Sequence, residues 1–266
     1  MSERPTRRPG ARPRTTIGLI GYGAFGRLAA SHLAPLFPVF AYDPACATDP
    51  EPCRTTVRGV TLCDAATAAA CDLVILAMPV PRLSAAIAAI RPHLRPGATV
   101  LDVCSVKVAP AETMRAELPD HVDIIGTHPM FGPQSARGGI KGLKIVICPI
   151  RGSGARPLAA YMRKTFGLNA ILATPEEHDR EAAMVQGLTH LIAKVLVEME
   201  PLPRNMTTAS FDLLLRAVDM VRHDAPEVFY AIERMNPFAP DVRRRFFALA
   251  ADLAEALERN GGPAPE

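Results

Sequence analysis

The chain has 266 residues, of which 48% are hydrophobic and 21% charged, a balance that excludes a disordered protein and is typical of one large or two modest domains. It contains no run of about 18 apolar residues, so the sequence predicts no membrane-spanning helix. The net charge is +3, but residues 1–16 hold five arginines and one glutamate, so the other 250 residues carry −1 and offer no basic surface for nucleic acid.

The first 15 residues are rich in arginine and proline and lack the apolar core of a secretory signal, so we expect a disordered basic tail. An organelle transit peptide would need an amphipathic helix, which the prolines oppose. The six cysteines form no Cys-x-x-Cys pair, and several lie in apolar runs, where a reduced thiol packs as a small hydrophobic group. We therefore expect no disulfide framework, no metal site and a cytoplasmic location.

From Thr16 onward, short apolar runs alternate with alanine-rich stretches of helical spacing. The predicted strands are 17–21, 39–42, 73–77, 99–103, 124–127, 144–148 and 170–173, and the predicted helices between the early strands are 24–33, 81–91 and 109–117. Continuous rather than alternating apolar runs indicate strands buried on both faces. Strands separated by helices indicate βαβ units, so the predicted fold class is α/β with a doubly wound, mostly parallel sheet of the Rossmann type.

The pattern changes near residue 174, where Thr174 has the character of a helix N-cap followed by Pro175 and Glu177. Everything beyond this point is helical in character. We therefore divide the chain into a dinucleotide-binding domain, residues 16–174, and an all-helical substrate and dimerisation domain, residues 175–266. Apolar side chains such as Phe211 and Phe247 exceed what 92 residues readily bury, so we expect a homodimer.

A glycine-rich turn follows the first predicted strand and opens the first predicted helix, which is the context that dinucleotide binding requires. In this motif the first glycine permits a tight turn, the second lets a pyrophosphate approach the backbone, and the third lets the helix pack on the strand. The helix N-terminus then attracts the phosphates. A structural turn without a ligand is the alternative. The predicted cofactor contacts in this turn are Gly21, Tyr22, Gly23, Ala24, Phe25 and Gly26.

Asp43 ends the second predicted strand, 22 residues after Gly21, where a carboxylate accepts the ribose hydroxyls and repels a 2′-phosphate. This favours NAD as the cofactor. Arg54 and Arg58 lie downstream and keep NADP as the alternative, and a role of Asp43 as a plain turn residue also remains open. Two further predicted cofactor contacts, in the loop after strand 73–77, are Met78 and Pro79.

Three further segments carry the residue types of a reaction centre. Ser105 and Lys107 follow strand 99–103, and His128 lies in the segment 127–133 at the end of the next strand. Ligands of such sheets bind beyond the carboxyl ends of the strands, so both segments are expected at the site. The third segment is the helix that starts at Pro175, on which polar residues recur at multiples of four positions: His178, Gln186, His190 and Lys194.

The motifs Ser-Val-Lys, Thr-His-Pro-Met-Phe-Gly-Pro and Glu-His-Asp, the last followed by Gln-x-x-x-His, resemble those of the prephenate/arogenate dehydrogenase family of tyrosine biosynthesis, and most closely the plant arogenate dehydrogenases. The resemblance covers roughly residues 16–235. It implies an enzyme that uses NAD(P) to convert arogenate into tyrosine by oxidative decarboxylation, or, as the alternative, prephenate into 4-hydroxyphenylpyruvate. We expect no separate regulatory domain in a chain that ends at Glu266.

The resemblance also implies a role for each site residue. His128 would accept a hydrogen bond from the ring hydroxyl at C4 as hydride leaves that carbon, which suits a neutral imidazole. Ser105 would be its hydrogen-bonding partner near the substrate hydroxyl and the nicotinamide. His178 either acts in the site or completes the helix cap. Gln186 and His190 would contact the substrate, with ordinary contacts between helices as the alternative. Arg137, Lys107 and Lys194 would bind the substrate carboxylates. The other candidate substrate contacts are Gln134 and Ser135.

Asp224 aligns with an acidic position of the plant enzymes, and a carboxylate beside the side-chain ammonium would favour arogenate over prephenate. A cap for the helix beginning at Pro226 is the alternative role. Two rival functions remain. Another nicotinamide-dependent hydroxyacid dehydrogenase would lack the Thr-His-Pro-Met-Phe-Gly-Pro segment, and a non-catalytic nucleotide-sensing module would have lost His128 or Ser105. The expected partners are a small-molecule substrate and a second copy of the chain, with no nucleic acid and no membrane.

Overall fold

A computed structural model describes residues 15–48 and 57–259. The predicted basic tail, apart from Thr15, and Arg54 lie outside these ranges. The described strands, β1 to β8 in chain order, are Ile17–Ile20, Val39–Tyr42, Val60–Leu62, Leu73–Leu76, Thr99–Asp102, Asp123–Pro129, Lys144–Arg151 and Asn169–Leu172. The described α-helices, α1 to α11, are Ala24–Leu33, Pro44–Thr48, Ala65–Ala69, Leu83–Ile90, Val108–Glu117, Ala155–Phe166, Pro175–Ala182, Leu188–Glu198, Ala209–Val221, Pro226–Tyr230 and Ala239–Glu258.

The eight described strands lie in one sheet in the order β3-β2-β1-β4-β5-β6-β7-β8. β1 runs parallel to β2 and β4, and the pairs β2–β3, β4–β5 and β7–β8 are parallel as well. The chain moves from β1 outward to β3 and then crosses back to β4, as it does in a doubly wound sheet. The predicted α/β class of the Rossmann type is confirmed, and all seven predicted strands are present.

One connection departs from the βαβ pattern. The backbone N–H of Met130, just after β6, donates to the carbonyl of Lys144 at the start of β7. At the opposite ends of the two strands, Gly152 lies against Asp123. These two contacts show that β6 and β7 run antiparallel, which is why no crossover helix is needed between them.

The described residues form two compact units. The first comprises the described residues up to Val103 together with Met114–Ile125 and Ile150–Gly154, and the second comprises Cys104–Thr113, Gly126–Pro149 and the described residues from Ala155 onward. Most of β7 and all of β8 therefore group with the helices that follow them. The predicted division near residue 174 coincides with the end of β8 and the start of α7, and as a domain boundary it stays a prediction.

The core of the first unit lies where helices pack on the parallel strands. Val74 and Leu76 of β4 and Val100 of β5 are fully buried, and Ile87 and Ile90 of α4 pack into the same cluster. A strand covered on both faces has no polar side, which explains why β1 and β4 are apolar along their length. This packing holds the carboxyl ends of β1 and β4, where the predicted cofactor contacts begin.

The run of helices that follows β8 begins at a capping box. Thr174 Oγ1 accepts a hydrogen bond from the backbone N–H of Glu177 at 3.1 Å, and the Glu177 carboxylate accepts one from the backbone N–H of Thr174 at 2.8 Å. Pro175 occupies the first turn, where its missing N–H leaves no helical hydrogen bond unmade. The predicted helix start is thus confirmed. Within the described ranges, no helix is both long and apolar enough to cross a bilayer.

The expectation of reduced cysteines needs one correction, because Cys46 is disulfide-bonded. It lies half-buried on the short helix α2, outside the apolar strands that motivated the expectation. Four other cysteines are not in disulfides, and three of them are buried. The four are Cys63, Cys71, Cys104 and Cys148, of which Cys63 is the half-buried one.

Candidate active site

The glycine-rich turn of the first unit has the backbone geometry that its motif predicts. Gly21 has a φ of +102°, and a Cβ built there would lie 2.3 Å from the carbonyl oxygen of Ala77, so only glycine fits. A Cβ on Gly26 would lie 2.3 Å from the carbonyl oxygen of Gly21, which is the close packing expected of the third glycine. A Cβ on Gly23 would have no atom of the described residues within 4 Å, so these residues leave the backbone at the start of α1 accessible to a ligand.

Asp43 and the turn are joined by hydrogen bonds within the first unit. One Asp43 oxygen accepts from the backbone N–H of Tyr22 at 2.7 Å, and the other accepts from that of Ala45 at 2.9 Å. The buried Tyr22 hydroxyl accepts from the backbone N–H of Val57 at 2.9 Å. The structure therefore brings the ends of β1 and β2 together around one carboxylate. Met78 and Pro79 follow the adjacent strand β4, as predicted.

The residues predicted for the reaction belong to the second unit, and His128 lies at their centre. It is buried near the end of β6, and its Nδ1 lies 2.8 Å from Nε2 of His178, with the two rings edge to face. Nδ1 of His178 lies in turn 2.7 Å from a carboxylate oxygen of Asp179. Three side chains from β6 and α7 thus form one continuous hydrogen-bonded chain.

Asp179 is fully buried, and hydrogen bonds hold it from several directions. Its carboxylate accepts from the backbone N–H groups of Lys107 at 2.7 Å and Val108 at 2.9 Å, which are the amides at the start of α5. Its own carbonyl accepts from Nδ2 of the buried Asn236 at 2.7 Å. These bonds compensate the burial of a carboxylate, because helix N-terminal amides favour its ionised form.

Lys107, predicted as a partner of substrate carboxylates, is buried instead of lying at a surface. Its ammonium donates to the carbonyl oxygen of Thr127 at 2.7 Å, next to His128 in the chain. Burial lowers the pKa of His128 well below its usual value, and the neighbouring His178 and Lys107 lower it further. His128 is therefore a neutral imidazole at pH 7, as predicted for an acceptor.

The other residues predicted near His128 occupy the loops of the second unit. Ser105 is half-buried just after β5, and within the described residues no hydrogen bond joins it to His128, whose partner is His178. The hydroxyl of Ser135 closes a turn with the backbone of Gly132, and Arg137 is exposed. Gln134 is partly exposed in the same loop. The roles given to these four residues stay predictions.

On the helical side, the predicted contacts lie around His190, which is buried on α8. Its Nε2 lies 3.7 Å from a carboxylate oxygen of Asp224, and its ring is close to that of Phe229, over which the Lys194 ammonium lies. Burial lowers the pKa of His190, with Lys194 adding to the effect, and burial raises the pKa of Asp224. Asp224 does not cap α10, since the N-cap is Ala225 with no side-chain bond.

Gln186 has an unusual position on the π-helical turn Ala183–Gly187 between α7 and α8. Its Oε1 is buried and, in the described part of the chain, has no hydrogen-bond partner. A buried acceptor without a donor is costly, so the amide is poised to bind a donor from a ligand or a water. Arg222, another cation of the helical region, donates to the Glu200 carboxylate at 2.8 and 3.0 Å.

Sequence reasoning missed two members of this site, Asp179 and Asn236, and left His178 undecided. The capping box is made by Thr174 and Glu177, so His178 does not complete the cap. The motif Glu-His-Asp carried a signal for Asp179, but Asn236 had none, because its bond crosses 57 residues of sequence. Among the described residues, no three ligating side chains come together as a metal site.

Comparison with known proteins shows the family to which a chain with this geometry is similar. A family model described as "Prephenate dehydrogenase, nucleotide-binding domain" matches residues 48–186, a range that contains His128 and α7. The chain is 27% identical over 254 residues to arogenate dehydrogenase 1 of Arabidopsis thaliana, covering 92% of this chain and 39% of that protein. It is 25% identical over 201 residues to a Methanocaldococcus jannaschii protein named "Probable arogenate/prephenate dehydrogenase", covering 70% of this chain and 44% of that protein. The chain thus spans less than half the length of these two relatives.

The solved structures give the same fold. Prephenate dehydrogenase from A. aeolicus, in complex with hydroxyphenyl propionate and NAD+, matches this chain with a TM-score of 0.73. The sequence identity is 20%, and the match covers 94% of this chain and 93% of that one. At this identity the likeness shows that the fold is shared over nearly the whole length of both chains.

Proposed function

The chain belongs to the prephenate dehydrogenase family, and from this premise we propose that it catalyses the oxidative decarboxylation of a cyclohexadiene, arogenate or prephenate, with hydride transfer to a nicotinamide dinucleotide. One observation carries the proposal: the buried, neutral imidazole of His128 is held through Nδ1 by His178 at the end of β6. A histidine fixed at one nitrogen offers the other nitrogen to a substrate hydroxyl.

The chemistry needs such an acceptor at the carbon that is oxidised. Both substrates carry a hydrogen and a hydroxyl on ring carbon C4 and a carboxylate on C1. Departure of hydride from C4 makes the hydroxyl proton acidic, so an imidazole that accepts this proton stabilises the developing positive charge. The bond from C1 to the carboxylate then breaks, its electron pair makes the ring aromatic, and carbon dioxide leaves. His128 returns the proton to the phenolic oxygen and is regenerated.

The first unit fits the dinucleotide, which when bound supplies the hydride acceptor. Among the described residues no side chain caps the start of α1, and the space they leave at Gly23 admits a phosphate to this helix N-terminus. Asp43 uses one lone pair of each oxygen on a backbone N–H, which leaves acceptor capacity for the ribose hydroxyls. The negative charge favours NAD, and NADP remains the alternative.

Substrate contacts are proposed for the polar residues of the second unit. Gln186 offers an acceptor that no described residue pairs with, and His190 lies beside Asp224 and Phe229. Arg137 is exposed on its loop and suits a substrate carboxylate, because its guanidinium binds carboxylates in a bidentate manner. The remaining proposed contacts are Ser105, Gln134, Ser135 and Lys194.

Arogenate is the proposed substrate in preference to prephenate. Asp224 is a partly exposed carboxylate beside His190, and because no described residue joins it to α10 as a cap, its charge is available to an ammonium group. Arogenate carries such a group, whereas prephenate has a ketone oxygen at the same position and no proton to share. We also propose the homodimer and the cytoplasmic location that the sequence predicts.

Steady-state kinetics with two substrates and two cofactors tests the proposal. We expect the highest kcat/KM for arogenate with NAD, and we expect Asp43→Ser to narrow the preference for NAD over NADP by relieving repulsion of the 2′-phosphate. Preference for prephenate would overturn the substrate choice alone. Turnover of neither compound, with NAD binding retained in calorimetry, would favour a nucleotide-sensing module, and turnover of a simple hydroxyacid would favour the other rival.

A further inference from the structure

Asp179 is a fully buried carboxylate whose two oxygens meet three hydrogen-bonding groups. Backbone N–H groups of Lys107 and Val108 occupy one site on each oxygen, and Nδ1 of His178 lies 2.7 Å from the oxygen that Lys107 also binds. An ionised carboxylate accepts hydrogen bonds and donates none. The short contact therefore requires the proton of His178 to lie on Nδ1.

The protonation of His178 determines that of His128. With its proton on Nδ1, a neutral His178 has a lone pair on Nε2, and this atom lies 2.8 Å from Nδ1 of His128. Two lone pairs cannot face each other at this distance, so His128 must donate through Nδ1. A neutral His128 that donates through Nδ1 carries its lone pair on Nε2. Within the described residues, no group forms a hydrogen bond with that nitrogen.

We infer that Asp179 and His178 are positioning residues, which fix His128 in the tautomer with a lone pair on Nε2 and so prepare this nitrogen for the C4 hydroxyl. The role in turnover rests on the proposed function, and the tautomer rests on a neutral His178 whose proton faces Asp179. His178 from α7 and Lys107 from the segment before α5 face His128, and Asp179 faces His178. Lys107 opposes a positive charge on His128, and the Asp179 carboxylate compensates one on His178.

The hydrogen bonds from His128 through His178 to Asp179 also account for where the proton goes during the reaction. As the hydroxyl proton arrives at Nε2 of His128, the proton on Nδ1 shifts toward Nε2 of His178, whose other proton stays shared with Asp179. The positive charge is then next to a carboxylate instead of next to the Lys107 ammonium. When the phenolic oxygen takes its proton back, every proton returns to its first position. No oxidant, reductant or additional proton donor is required.

Nitrogen NMR of the histidine rings tests the tautomer without any substrate. In protein labelled with ¹⁵N-histidine, long-range proton–nitrogen correlations distinguish a protonated from an unprotonated ring nitrogen. We expect neutral His128 to carry its proton on Nδ1 between pH 6.5 and 8. His128→Asn removes one set of signals and so assigns them. A proton on Nε2 of His128 in the unmodified protein would overturn the inference.

Variants connect the tautomer to turnover. Asp179→Asn places an amide where all three neighbours need an acceptor, so we expect a mixed His128 tautomer, a kcat lowered by about tenfold to a thousandfold, and a KM changed by less than about threefold. Glu176→Gln, which removes an exposed carboxylate from the same helix, is the matched control and should change neither. If Asp179→Asn fails to fold, two variants of His178 replace it. His178→Phe removes the hydrogen-bond acceptor for Nδ1 of His128 and should lower kcat. His178→Gln restores an acceptor, its amide oxygen, and should recover part of kcat.

The outcomes separate the two proposals. Unchanged tautomer and kcat in Asp179→Asn, or equal kcat in His178→Phe and the unmodified enzyme, would overturn the positioning role. If the unmodified protein shows the expected tautomer but turns over neither arogenate nor prephenate, the proposed function fails and the fixed tautomer stands.

Discussion

At the scale of the residue, the function depends on one nitrogen atom of His128. We expect His128→Asn to lower kcat by roughly 10²–10⁴-fold, because the asparagine amide is not basic enough to accept the proton that the imidazole accepts. NAD binding, measured by calorimetry, should persist, since the contacts proposed for the phosphates and the ribose lie in the first unit. His93→Asn, an exposed histidine of that unit, is the control. Near-normal turnover of the purified His128 variant would remove this residue from the mechanism.

The environment of His128 also predicts the pH dependence of the reaction. Burial, His178 and Lys107 hold the pKa of His128 well below 6.5, and the neutral form is the active one. Activity should therefore remain as pH falls from 8 past 6.5 and decline only near the lowered pKa. Lys107→Met removes a positive charge, which raises the pKa of His128 and should move the acid limb of kcat to higher pH. An acid limb already centred at 6.5 in the unmodified enzyme would contradict this reasoning.

Asp224 decides the substrate preference that we propose. A hydrogen bond between an ammonium and a carboxylate in a partly desolvated pocket contributes roughly 1.5–3 kcal/mol, or about 10–150-fold in selectivity. Asp224→Asn should lower kcat/KM for arogenate and raise it for prephenate, so the two values move in opposite directions. Glu227→Gln, an exposed carboxylate on α10, should leave the ratio unchanged. If both values fall together in the Asp224 variant, this carboxylate stabilises the structure and does not select the substrate.

At the scale of the element, the start of α7 connects local stability to the site, since His178 and Asp179 lie in its first turns. Thr174→Ala removes the acceptor for the backbone N–H of Glu177, and we expect a loss of about 0.5–2 kcal/mol in the free energy of unfolding. Thr174→Ser keeps the hydroxyl and should retain most of this stability. Urea titrations followed by circular dichroism measure both, and equal midpoints for all three proteins would exclude the cap as a stabilising element.

The elements show what a sequence can and cannot predict. The buried strand β1 was predicted to within one residue because every side chain in it is apolar, whereas β3 was missed because Thr61 and Leu62 are exposed at the sheet edge. The four-residue steps from His178 to His190 assumed a regular α-helix. The π-helical turn Ala183–Gly187 interrupts it, so residues on either side do not share one continuous face.

The site follows the same division between local and distant information. The glycine-rich turn and the capping box are complete within a few residues, so their patterns could be read directly. The contact between His128 and His178 crosses 50 residues, and it forms only when β6 and α7 fold together. Resemblance supplies residue types without distances, so it names Ser105 near His128 but does not show that Nδ1 of His128 meets His178. A buried cation such as Lys107 is likewise indistinguishable in sequence from an exposed one.

At the scale of the whole molecule, the last helix presents an apolar stripe that the described chain does not cover. Leu249, Leu253 and Leu257 follow one another at four-residue steps on α11 and are 59%, 61% and 76% exposed. Further apolar side chains are exposed on the preceding helices, including Val195 on α8 and Leu213 on α9. Exposed apolar residues that recur on one helix face indicate a surface for association, because leaving them in water forfeits their burial free energy.

We expect a second copy of the chain to cover this stripe, and light scattering to give about twice 28.6 kDa at micromolar concentration. Leu253→Asp places a charge in the middle of the stripe, so it should weaken the dimer, because a buried, unpaired carboxylate costs several kcal/mol. Ala251→Asp introduces the same charge on the opposite side of α11 and should leave the mass unchanged. A mass near 28.6 kDa for the unmodified protein would contradict the dimer, and an equal effect of both substitutions would show that the stripe is not its centre.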